Sequence, residues 1–458
     1  MKILLIHPPA RRRQHQSIVI PPLGLLYVAS SLKKAGFDVQ VKDAFAEQMD
    51  WDDFASFIKK VKPDITGFSG MSPVIDTSFR AAKIARPHTG TIIMGGPHVS
   101  LYREKIFDQC PEIDYGVIGE GEATVPALLR ALSRGQSLEN IPGVTGRSFT
   151  YRRRDFIADI DSIPAPDRSM IDNRLYHYPF SRHHPMTTMF TSRGCPYGCT
   201  FCDKSTFGSS WRARSAENIL AELDEIVHAY GIRSVIFYDD LFTLKKERVT
   251  EICEGILQRG YKLEWKCEGR VNLADLETMK LMKRAGCSMI AYGVESGNQT
   301  GLDYLNKKTT PDQAAKAFEL TRKAGIRTMA YFILGIPVET YEDELKTVAF
   351  ARKIRASYAQ FSILSPYYGT AVYEEAVQKG WYRETDAKNP LDKDLKRPVI
   401  LSDNWDEEKM QRILKTAHRQ FYLRPAYVLR QVFSVRSMDQ AVGFMKEFMN
   451  LAAWMQKS

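Results

Sequence analysis

The sequence predicts an α/β protein with two sheet-containing domains, a linker between them and a helical C-terminal region. Three observations predict this fold class. Short apolar strands alternate with helical segments over residues 1–145 and again over 187–375. The stretch between them, 146–186, is rich in turn residues and shows little periodicity, and the last part, 376–458, has apolar residues at helical spacing. Strands separated by helices indicate parallel sheets covered by helices.

The first predicted domain is a doubly wound parallel sheet with helices on both faces. Its predicted strands are 2–6, 39–43, 65–69, 91–94 and 115–118, and its predicted helices are 23–34, 51–61 and 77–85. In such sheets, ligands bind beyond the carboxyl ends of the strands. Glycines at these ends would let the backbone approach a large ligand, although plain tight turns use the same residue. They are Gly70, Gly95, Gly96, Gly119 and Gly121.

The second predicted domain has six strand–helix units. Its predicted strands are 187–191, 234–238, 263–268, 289–294, 327–334 and 359–364, and its long helices include 216–230, 276–285 and 311–324. Gly231, Gly286 and Gly325 stand where glycines commonly end helices. Six such units predict a partial (β/α)6 barrel, in which the chemistry lies at the carboxyl ends of the strands.

Composition and charge narrow the class of protein. Hydrophobic residues make up 44% and charged residues 26% of the 458 residues, which is typical of globular enzymes and excludes a disordered chain. Lys and Arg outnumber Asp and Glu by 64 to 54; the excess favours acidic partners, although a basic, solvated surface accounts for it equally well. No apolar run reaches membrane-spanning length, and the N-terminus lacks the pattern of a signal peptide. We therefore expect a cytoplasmic protein.

The cysteines fall into two groups. Seven are too few, and odd in number, for a secreted disulfide scaffold. Cys195, Cys199 and Cys202 lie within eight residues, directly after a predicted strand, and three thiolates so spaced can ligate three irons of a cubic iron–sulfur cluster, leaving the fourth iron open. Zinc completed by His183 or His184 is the alternative, which three cysteines without a second CxxC pair fit poorly. The remaining four stand singly and are expected to be small core residues: Cys110, Cys253, Cys267 and Cys287.

The motif CPYGCTFC at 195–202 resembles the radical S-adenosylmethionine (SAM) superfamily, whose hallmark is CxxxCxxC with an aromatic residue before the last cysteine. The resemblance implies a [4Fe–4S] cluster on the three cysteines, an electron from which cleaves SAM to a 5′-deoxyadenosyl radical. Arg270 would face the SAM carboxylate, Glu295 the ribose or amino group, and Gly335 with Pro337 the adenine. A buried carboxylate at a strand end is often only a structural hydrogen-bond acceptor, and that alternative stays open. The SAM contacts implied are Phe201, Asp239, Arg270, Glu295, Gly335 and Pro337.

An N-terminal doubly wound domain followed by such a barrel resembles the cobalamin-binding-domain subgroup of this superfamily. Matching local motifs are HPP at 7–9, PPLGL at 21–25, MGGPH at 94–98 and GEGE at 119–122. No histidine stands in the DxHxxG context that supplies a lower axial ligand in many cobalamin domains, and His98 is expected to form turn hydrogen bonds instead. The resemblance implies cobalamin contacts at the strand ends by Ser69, Gly70, Gly95, Gly96, Gly119, Glu120, Gly121 and Glu122.

In this subgroup the expected outcome is methyl transfer to an unactivated carbon. One SAM molecule supplies the methyl group through cobalamin, and a second generates the radical. Resemblance to the anaerobic magnesium-protoporphyrin monomethyl ester cyclase and to hopanoid and other lipid-pathway enzymes leaves cyclisation, oxidation or carbon–carbon bond formation open. A transfer-RNA methylthiotransferase, and with it a nucleic-acid partner, is not expected, because residues 1–145 hold only Cys110. The alternative of another class is a cluster- or cobalamin-binding sensor without turnover.

The implied partners are a small-molecule, tetrapyrrole or lipid substrate and an electron donor such as flavodoxin or ferredoxin. The tail from residue 406 onward carries nine Lys and Arg against five Asp and Glu. A peripheral membrane contact through 422–433, with Arg424, Arg430 and Arg436, is one hypothesis for this tail. Packing on the barrel is favoured by apolar residues at helical spacing: Met410, Ile413, Leu414, Ala417 and Phe421.

Overall fold

The computed structural model describes residues 1–9, 18–382, 399–425 and 427–429, and its elements are numbered here in chain order. The strands are β1 Ile3–His7, β2 Val39–Asp43, β3 Ile65–Ser69, β4 Thr91–Gly95, β5 Tyr115–Val117, β6 Val144–Gly146, β7 Met186–Met189, β8 Ser192–Arg193, β9 Arg212–Ala213, β10 Ser234–Phe237, β11 Glu264–Gly269, β12 Cys287–Glu295, β13 Arg327–Leu334 and β14 Tyr358–Ile363. The helices are α1 Leu23–Lys34, α2 Trp51–Val61, α3 Ile75–Ala85, α4 Pro97–Tyr102, α5 Ile106–Gln109, α6 Gly121–Ser133, α7 Ala216–Asp224, α8 Lys246–Gln258, α9 Leu276–Arg284, α10 Gln299–Tyr304, α11 Pro311–Lys323, α12 Tyr341–Lys353, α13 Ala371–Gln378 and α14 Glu407–Tyr422.

The described residues form two compact units. The first holds the residues up to 197 together with 203–265, and the second holds 198–202 and the residues from 266 onward. The predicted domain boundaries at 145, 186 and 375 stay predictions.

The first unit contains the predicted doubly wound sheet. Its strand order is β2-β1-β3-β4-β5-β6, with parallel pairing throughout except for β6, which runs antiparallel to β5. Alternate residues of β1 belong to two different core clusters, Leu4 and Ile6 to one and Ile3 and Leu5 to the other. This two-residue period indicates a sheet buried on both faces, as predicted. The three-residue strand β6 was not predicted, because so short a segment carries no periodic signal.

A second sheet has six strands in the order β14-β13-β12-β11-β10-β7. Within the first unit, β7 pairs in parallel with β10, and within the second unit β13 pairs in parallel with both β12 and β14. A register shift between Gly293 and Glu295 interrupts the end of β12. These strands alternate with helices along the chain, in agreement with the predicted partial barrel. Strands β8 and β9 form a separate two-stranded antiparallel ribbon.

The predicted helix-ending glycines are confirmed by their backbone angles. Gly231, Gly286 and Gly325 have φ values of 64°, 99° and 74°, in the left-handed region in which glycine carries no steric penalty. The predicted helix 216–230 is less regular than expected, because α7 ends at Asp224 and a π-helical turn, Glu225–Ala229, completes it.

The tail begins with the amphipathic helix α14, which packs against α12 and β14. Met410, Ile413, Ala417 and Phe421 are buried on it, so the predicted packing of this segment on the barrel is confirmed. Other tail residues of the sequence analysis, Arg430, Arg436 and everything after residue 429, lie outside the described residues. No helix in the described ranges is long and apolar enough to cross a membrane.

Candidate cofactor-binding site

The cysteine motif occupies a loop that follows β8, and its three cysteines form no disulfide. Cys195 and Cys199 are half-buried, whereas Cys202 is exposed. In the first unit, the ammonium group of Lys204 donates hydrogen bonds to the carbonyl oxygens of Cys195, at 3.0 Å, and of Tyr197. The first half of the loop is therefore held through its backbone carbonyl groups.

Gly194 fixes the start of this loop. Its φ of 81° lies in the left-handed region, and a Cβ there would stand 3.0 Å from the carbonyl oxygen of Phe207. Its N–H donates to the Asp240 carboxylate at 3.1 Å, and the N–H of Cys195 donates to the carbonyl of Gly208 at 3.4 Å. Because the loop lies so close to residues 207–208, only glycine fits here.

The second half of the loop is anchored within the second unit. The N–H of Thr200 donates to the carbonyl of Leu305 at 3.1 Å, and the side-chain amide of Asn306 donates to the carbonyl of Gly198 at 2.6 Å. Phe201, a predicted SAM contact, packs against a buried apolar cluster that includes Leu305 and Ile336. Its ring therefore has a packing role in this unit, while its contact with SAM stays a prediction.

Asp239 lies two residues after the end of β10 and is buried in the first unit. Its carboxylate accepts hydrogen bonds from the N–H and the hydroxyl of Thr191, at 2.6 and 2.5 Å, and from the Ser192 hydroxyl at 2.6 Å. Both oxygens are thus used to hold the turn that leads into the cysteine loop. This geometry supports the structural alternative for Asp239, and its predicted SAM contact stays a prediction.

Arg270 and Glu295 lie in the second unit, together with a lysine that the sequence analysis did not single out. The buried Lys307 forms an ion pair with Glu295 at 2.6 Å, and its carbonyl oxygen accepts a hydrogen bond from the Arg270 guanidinium. Glu295 has a φ of 66°, rare for a residue with a side chain, at the register shift that ends β12. Two buried cations and one carboxylate therefore lie together, a set suited to the charged groups of an amino-acid ligand.

The turn after β13 contains Gly335 and Pro337, and the chain holds it from two sides. On one side, a carboxylate oxygen of Glu344 accepts the N–H groups of Gly335 and Ile336, at 2.7 and 3.1 Å. On the other, the Trp405 indole N–H donates to the carbonyl oxygens of Ile336, at 3.0 Å, and Glu339, at 2.9 Å. The turn that the resemblance assigns to adenine is thus fixed by a helix residue and by a residue from the tail.

Glu344 also forms an unusual pair with Glu339. Both side chains are buried, and the nearness of two carboxyl groups favours the protonated, uncharged form of one of them. Burial raises the pKa of Glu344 well above its usual range, and the neighbouring Glu339 carboxyl raises it further. Glu339 in turn accepts the Ser296 hydroxyl at 2.7 Å. The pair therefore joins the ends of β12 and β13.

The predicted cobalamin contacts lie at the carboxyl edge of the first sheet. The Gly70 N–H donates to the Gly95 carbonyl at 2.9 Å. Gly96 has a φ of 96°, and a Cβ there would stand only 2.7 Å from the Ser69 hydroxyl. Beyond this close-packed backbone, Met71 is 56% exposed. Such an exposed apolar side chain beside a backbone edge without bulky groups fits a large planar ligand.

The GEGE motif lies at the same edge but uses its side chains differently. The Gly119 N–H donates to the Ser100 hydroxyl at 2.9 Å, and α6 begins at Gly121. The carboxylate of Glu120 is 2.8 Å from a guanidinium nitrogen of Arg193, and that of Glu122 is 2.5 Å from another nitrogen of the same group. Both carboxylates thus bind an arginine, and their predicted cobalamin contacts stay predictions.

His98 lies in α4 and has both ring nitrogens occupied. One contacts the Ser72 hydroxyl at 3.1 Å and the other the Gln109 side chain at 2.8 Å, while the ring stacks on Tyr102. Burial lowers its pKa to about 4. With no ring nitrogen left over, His98 has a structural role, as expected, although its partners are side chains rather than the backbone.

The donor sets agree with the cofactors that the sequence implies. Three thiols on one loop, anchored through its backbone, fit an iron–sulfur cluster better than a single ion. Across the described ranges, no three His, Cys, Asp or Glu side chains are grouped closely enough in this structure to hold one metal ion. The four other cysteines are buried, which confirms them as core residues: Cys110, Cys253, Cys267 and Cys287.

Two family models match the chain, the B12 binding domain over residues 18–129 and the radical SAM superfamily over 189–351. An uncharacterized methyltransferase of Pyrococcus horikoshii is 35% identical over 94% of this chain and 95% of its own length. The chain belongs to the cobalamin-binding subgroup of the radical SAM superfamily. Membership confirms the cofactors predicted from the sequence, a [4Fe–4S] cluster, SAM and cobalamin, and confirms that the protein is an enzyme.

Other members of the subgroup are less similar. The anaerobic magnesium-protoporphyrin IX monomethyl ester cyclase of Rubrivivax gelatinosus is 26% identical over 93% of this chain and 78% of its own. The hopanoid C-3 methylase of Methylococcus capsulatus is 30% identical over 74% of this chain and 65% of its own. The solved methyltransferase TsrM of Kitasatospora setae, with cobalamin and a [4Fe–4S] cluster bound, has a TM-score of 0.72 at 19% identity, over 93% of this chain and 89% of its own. This likeness confirms the fold class.

All predicted site residues lie inside the matched ranges, yet the structure adds three that sequence reasoning missed. These are Lys307, Glu344 and Trp405. Lys307 was missed because a lysine is rarely buried. Glu344 was missed because it stands in the acidic first turn of α12, where acidic residues are common. Nothing in the sequence linked Trp405 to a turn 66 to 69 residues earlier.

Proposed function

We propose that this radical SAM enzyme transfers a methyl group from SAM to an unactivated carbon of a small-molecule substrate. The observation that carries the proposal is the near full-length similarity to a protein named a methyltransferase. The donor sets support it, because the chain offers a thiol loop and an open sheet edge for the two cofactors that radical methylation needs. The cyclase alternative has support from more distant relatives, which are 26–29% identical to this chain.

Each residue group would have one task in this reaction. Cys195, Cys199 and Cys202 would hold the cluster, and the edge at Gly70 and Gly96 would accept the corrin without steric conflict. When bound, these cofactors supply the reducing electron and the methyl carrier. The protein's own contribution is orientation and the exclusion of water.

The charged group at β12 would bind the amino-acid end of SAM. Arg270 and Lys307 can neutralise its carboxylate, while Glu295 can accept hydrogen bonds from its amino group or ribose. Because all three side chains are buried, their electrostatic interactions are stronger there than in water. The turn at Gly335 and Pro337, held by Glu344 and Trp405, would present its backbone to the adenine.

For the substrate we propose an apolar small molecule of the tetrapyrrole or lipid class, since relatives are named for a protoporphyrin cyclase and a hopanoid methylase. A flavodoxin or ferredoxin would deliver the electron. The membrane-contact hypothesis concerns the tail, and the described part of the tail packs inward. The Tyr422 hydroxyl exchanges hydrogen bonds with the backbone of Ala359, and Arg424 stacks on Phe421. Among the large apolar side chains described there, Leu429 is the most exposed, at 57%.

The ratio of two SAM products tests the proposed reaction. The protein is reconstituted anaerobically with iron and sulfide, with and without hydroxocobalamin, and then incubated with SAM, a strong reductant and a candidate substrate. Methyl transfer yields one S-adenosylhomocysteine and one 5′-deoxyadenosine per methylated product. Cyclisation yields 5′-deoxyadenosine without S-adenosylhomocysteine, and a sensor yields neither; either result would overturn the proposal.

Two cysteine variants, one inside the motif and one outside it, provide a matched comparison. We expect Cys195→Ala to abolish both the brown chromophore and SAM cleavage, because it removes a cluster ligand. Cys253→Ala changes a buried core thiol outside the motif and should retain both. Iron analysis and the absorption spectrum of the two variants measure the difference, and an unchanged chromophore in Cys195→Ala would contradict the assigned ligand set.

A further inference from the structure

We propose that the side chains of Glu120 and Glu122 position the cysteine loop through Arg193 and Arg212, rather than binding cobalamin. The proposal rests on the family's iron–sulfur cluster and is independent of the reaction outcome. All four residues belong to the first unit. We call these four residues the Glu–Arg clamp. They are positioning residues: they orient the cysteine loop and do not themselves ligate the cluster.

Arg193 is the centre of the clamp. It is 3% exposed, and its guanidinium lies 2.8 Å from Glu120 and 2.5 Å from Glu122. Three aromatic rings enclose the same group, with centroids 5.0–5.7 Å away. Because Arg193 is two residues before Cys195, its position sets where the cysteine loop begins. The enclosing rings are those of Tyr27, Phe190 and Phe207.

Arg212 makes a second connection from Glu120 to the loop. One of its nitrogens lies 2.9 Å from both oxygens of Glu120, and the other donates to the carbonyl of Phe207 at 3.1 Å. The next residue, Gly208, accepts the N–H of Cys195 at 3.4 Å. A continuous path of three contacts therefore links the Glu120 carboxylate to the backbone of the first cluster ligand.

The charges of the clamp balance, and this accounts for its burial. Two carboxylates face two guanidinium groups, and Glu120 also accepts the N–H of Ile157 at 2.7 Å. Buried ions are tolerated only when paired and hydrogen-bonded in this way. Cobalamin amides would have to compete with two guanidinium groups for the same oxygens.

A chelator challenge on the reconstituted full-length protein tests the clamp. The variant Glu122→Gln keeps the shape of the side chain but removes its charge. We expect iron loss to bipyridyl to become about 10-fold faster, the lower range for removing a group that orients a metal ligand. The EPR spectrum of the reduced cluster should change as well, while cobalt per chain after hydroxocobalamin loading stays at the wild-type value.

Two further variants keep the test decisive. Arg193→Lys retains the charge but loses the fork that reaches both carboxylates, so it should also speed iron loss. Glu47→Gln, in an exposed ion pair with Lys42 of the same sheet, is the matched control and should change nothing. If Glu122→Gln fails to fold by circular dichroism, Arg193→Lys decides.

Other outcomes would overturn the clamp. Loss of cobalt with unchanged iron release would assign the carboxylates to cobalamin, and wild-type values for both would show that they have no such role. Loss of both metals from a folded chain would also count against it, because a displaced cysteine loop does not by itself release cobalamin. None of these readouts depends on whether methyl transfer is the reaction, so failure here leaves the proposed function untouched.

Discussion

Two groups of buried carboxylates lie in this enzyme, and the fold compensates them in opposite ways. In the first unit, Glu120 and Glu122 are neutralised by two arginines. In the second, burial raises the pKa of both Glu339 and Glu344, so that Glu344 retains a proton instead. Both groups follow strand ends, where the resemblance places cofactors.

The difference shows how each edge is built. Arginine pairing fixes the geometry through several directed hydrogen bonds. Loss of one partner lowers the folding stability strongly, because it leaves a buried charge uncompensated. A retained proton neutralises a buried carboxyl group without an arginine, but only while the pH stays below the raised pKa. The sheet edge beside the cysteine loop should therefore depend on charge pairing, and the turn after β13 should depend on pH.

The largest expected effect comes from breaking the arginine-paired group. In Glu120→Ala, Arg193 and Arg212 stay buried without their main carboxylate. We expect the free energy of unfolding to fall by about 3–5 kcal/mol, the range for removing one partner of a buried ion pair. Urea unfolding followed by circular dichroism measures the change.

An exposed pair provides the control for this experiment. Glu408 and Arg412 form an ion pair on the surface of α14, with side chains 82% and 61% exposed. Glu408→Ala should cost at most about 1 kcal/mol, because solvent screens such pairs. Equal losses in Glu120→Ala and Glu408→Ala would remove the contrast between buried and exposed pairing.

A smaller, pH-dependent effect is expected at the buried pair of Glu339 and Glu344. The pKa of Glu344 is raised by burial in the folded chain, so the folded chain keeps a proton that the unfolded chain loses. Wild-type stability is therefore complete below the usual pKa of about 4.5 and falls as pH rises toward the raised value, by up to about 1.4 kcal/mol per pH unit. Glu344→Gln keeps a donor and an acceptor without titrating, and should lack this decline.

The test is the free energy of unfolding of the wild type and its variants, measured between pH 5 and pH 8. The stability of Glu344→Gln relative to wild type should rise across this range. Glu342→Gln, an exposed carboxyl on the same turn of α12, is the matched control and should follow the wild-type curve. Parallel curves for all three proteins would show that Glu344 does not hold the raised pKa.

Most of the fold, but less of the site, could be predicted from the sequence. The bounds of β2, β3 and β13 agree with the predicted strands: β3 and β13 are mostly apolar, and in β2 the valines at 39 and 41 alternate with polar residues. The ribbon of β8 and β9 was missed, since two-residue strands have no period. The cysteine loop was predicted because its spacing is local. Glu120 forms an ion pair with Arg193, 73 residues away along the chain, and such a pairing has no local signal in the sequence because tertiary structure alone decides it.

The smallest effect is expected from a substitution of Trp405, which links the tail to the turn after β13. Trp405→Phe keeps the apolar ring but removes the N–H that binds the carbonyls of Ile336 and Glu339. We expect a loss of roughly 1 kcal/mol in unfolding free energy, typical for a buried hydrogen bond. SAM affinity, measured by calorimetry on the reconstituted enzyme, should weaken by less than about 10-fold. A change in stability with no change in SAM affinity would separate the turn from the cofactor, because a turn that binds adenine cannot lose its support without affecting that ligand.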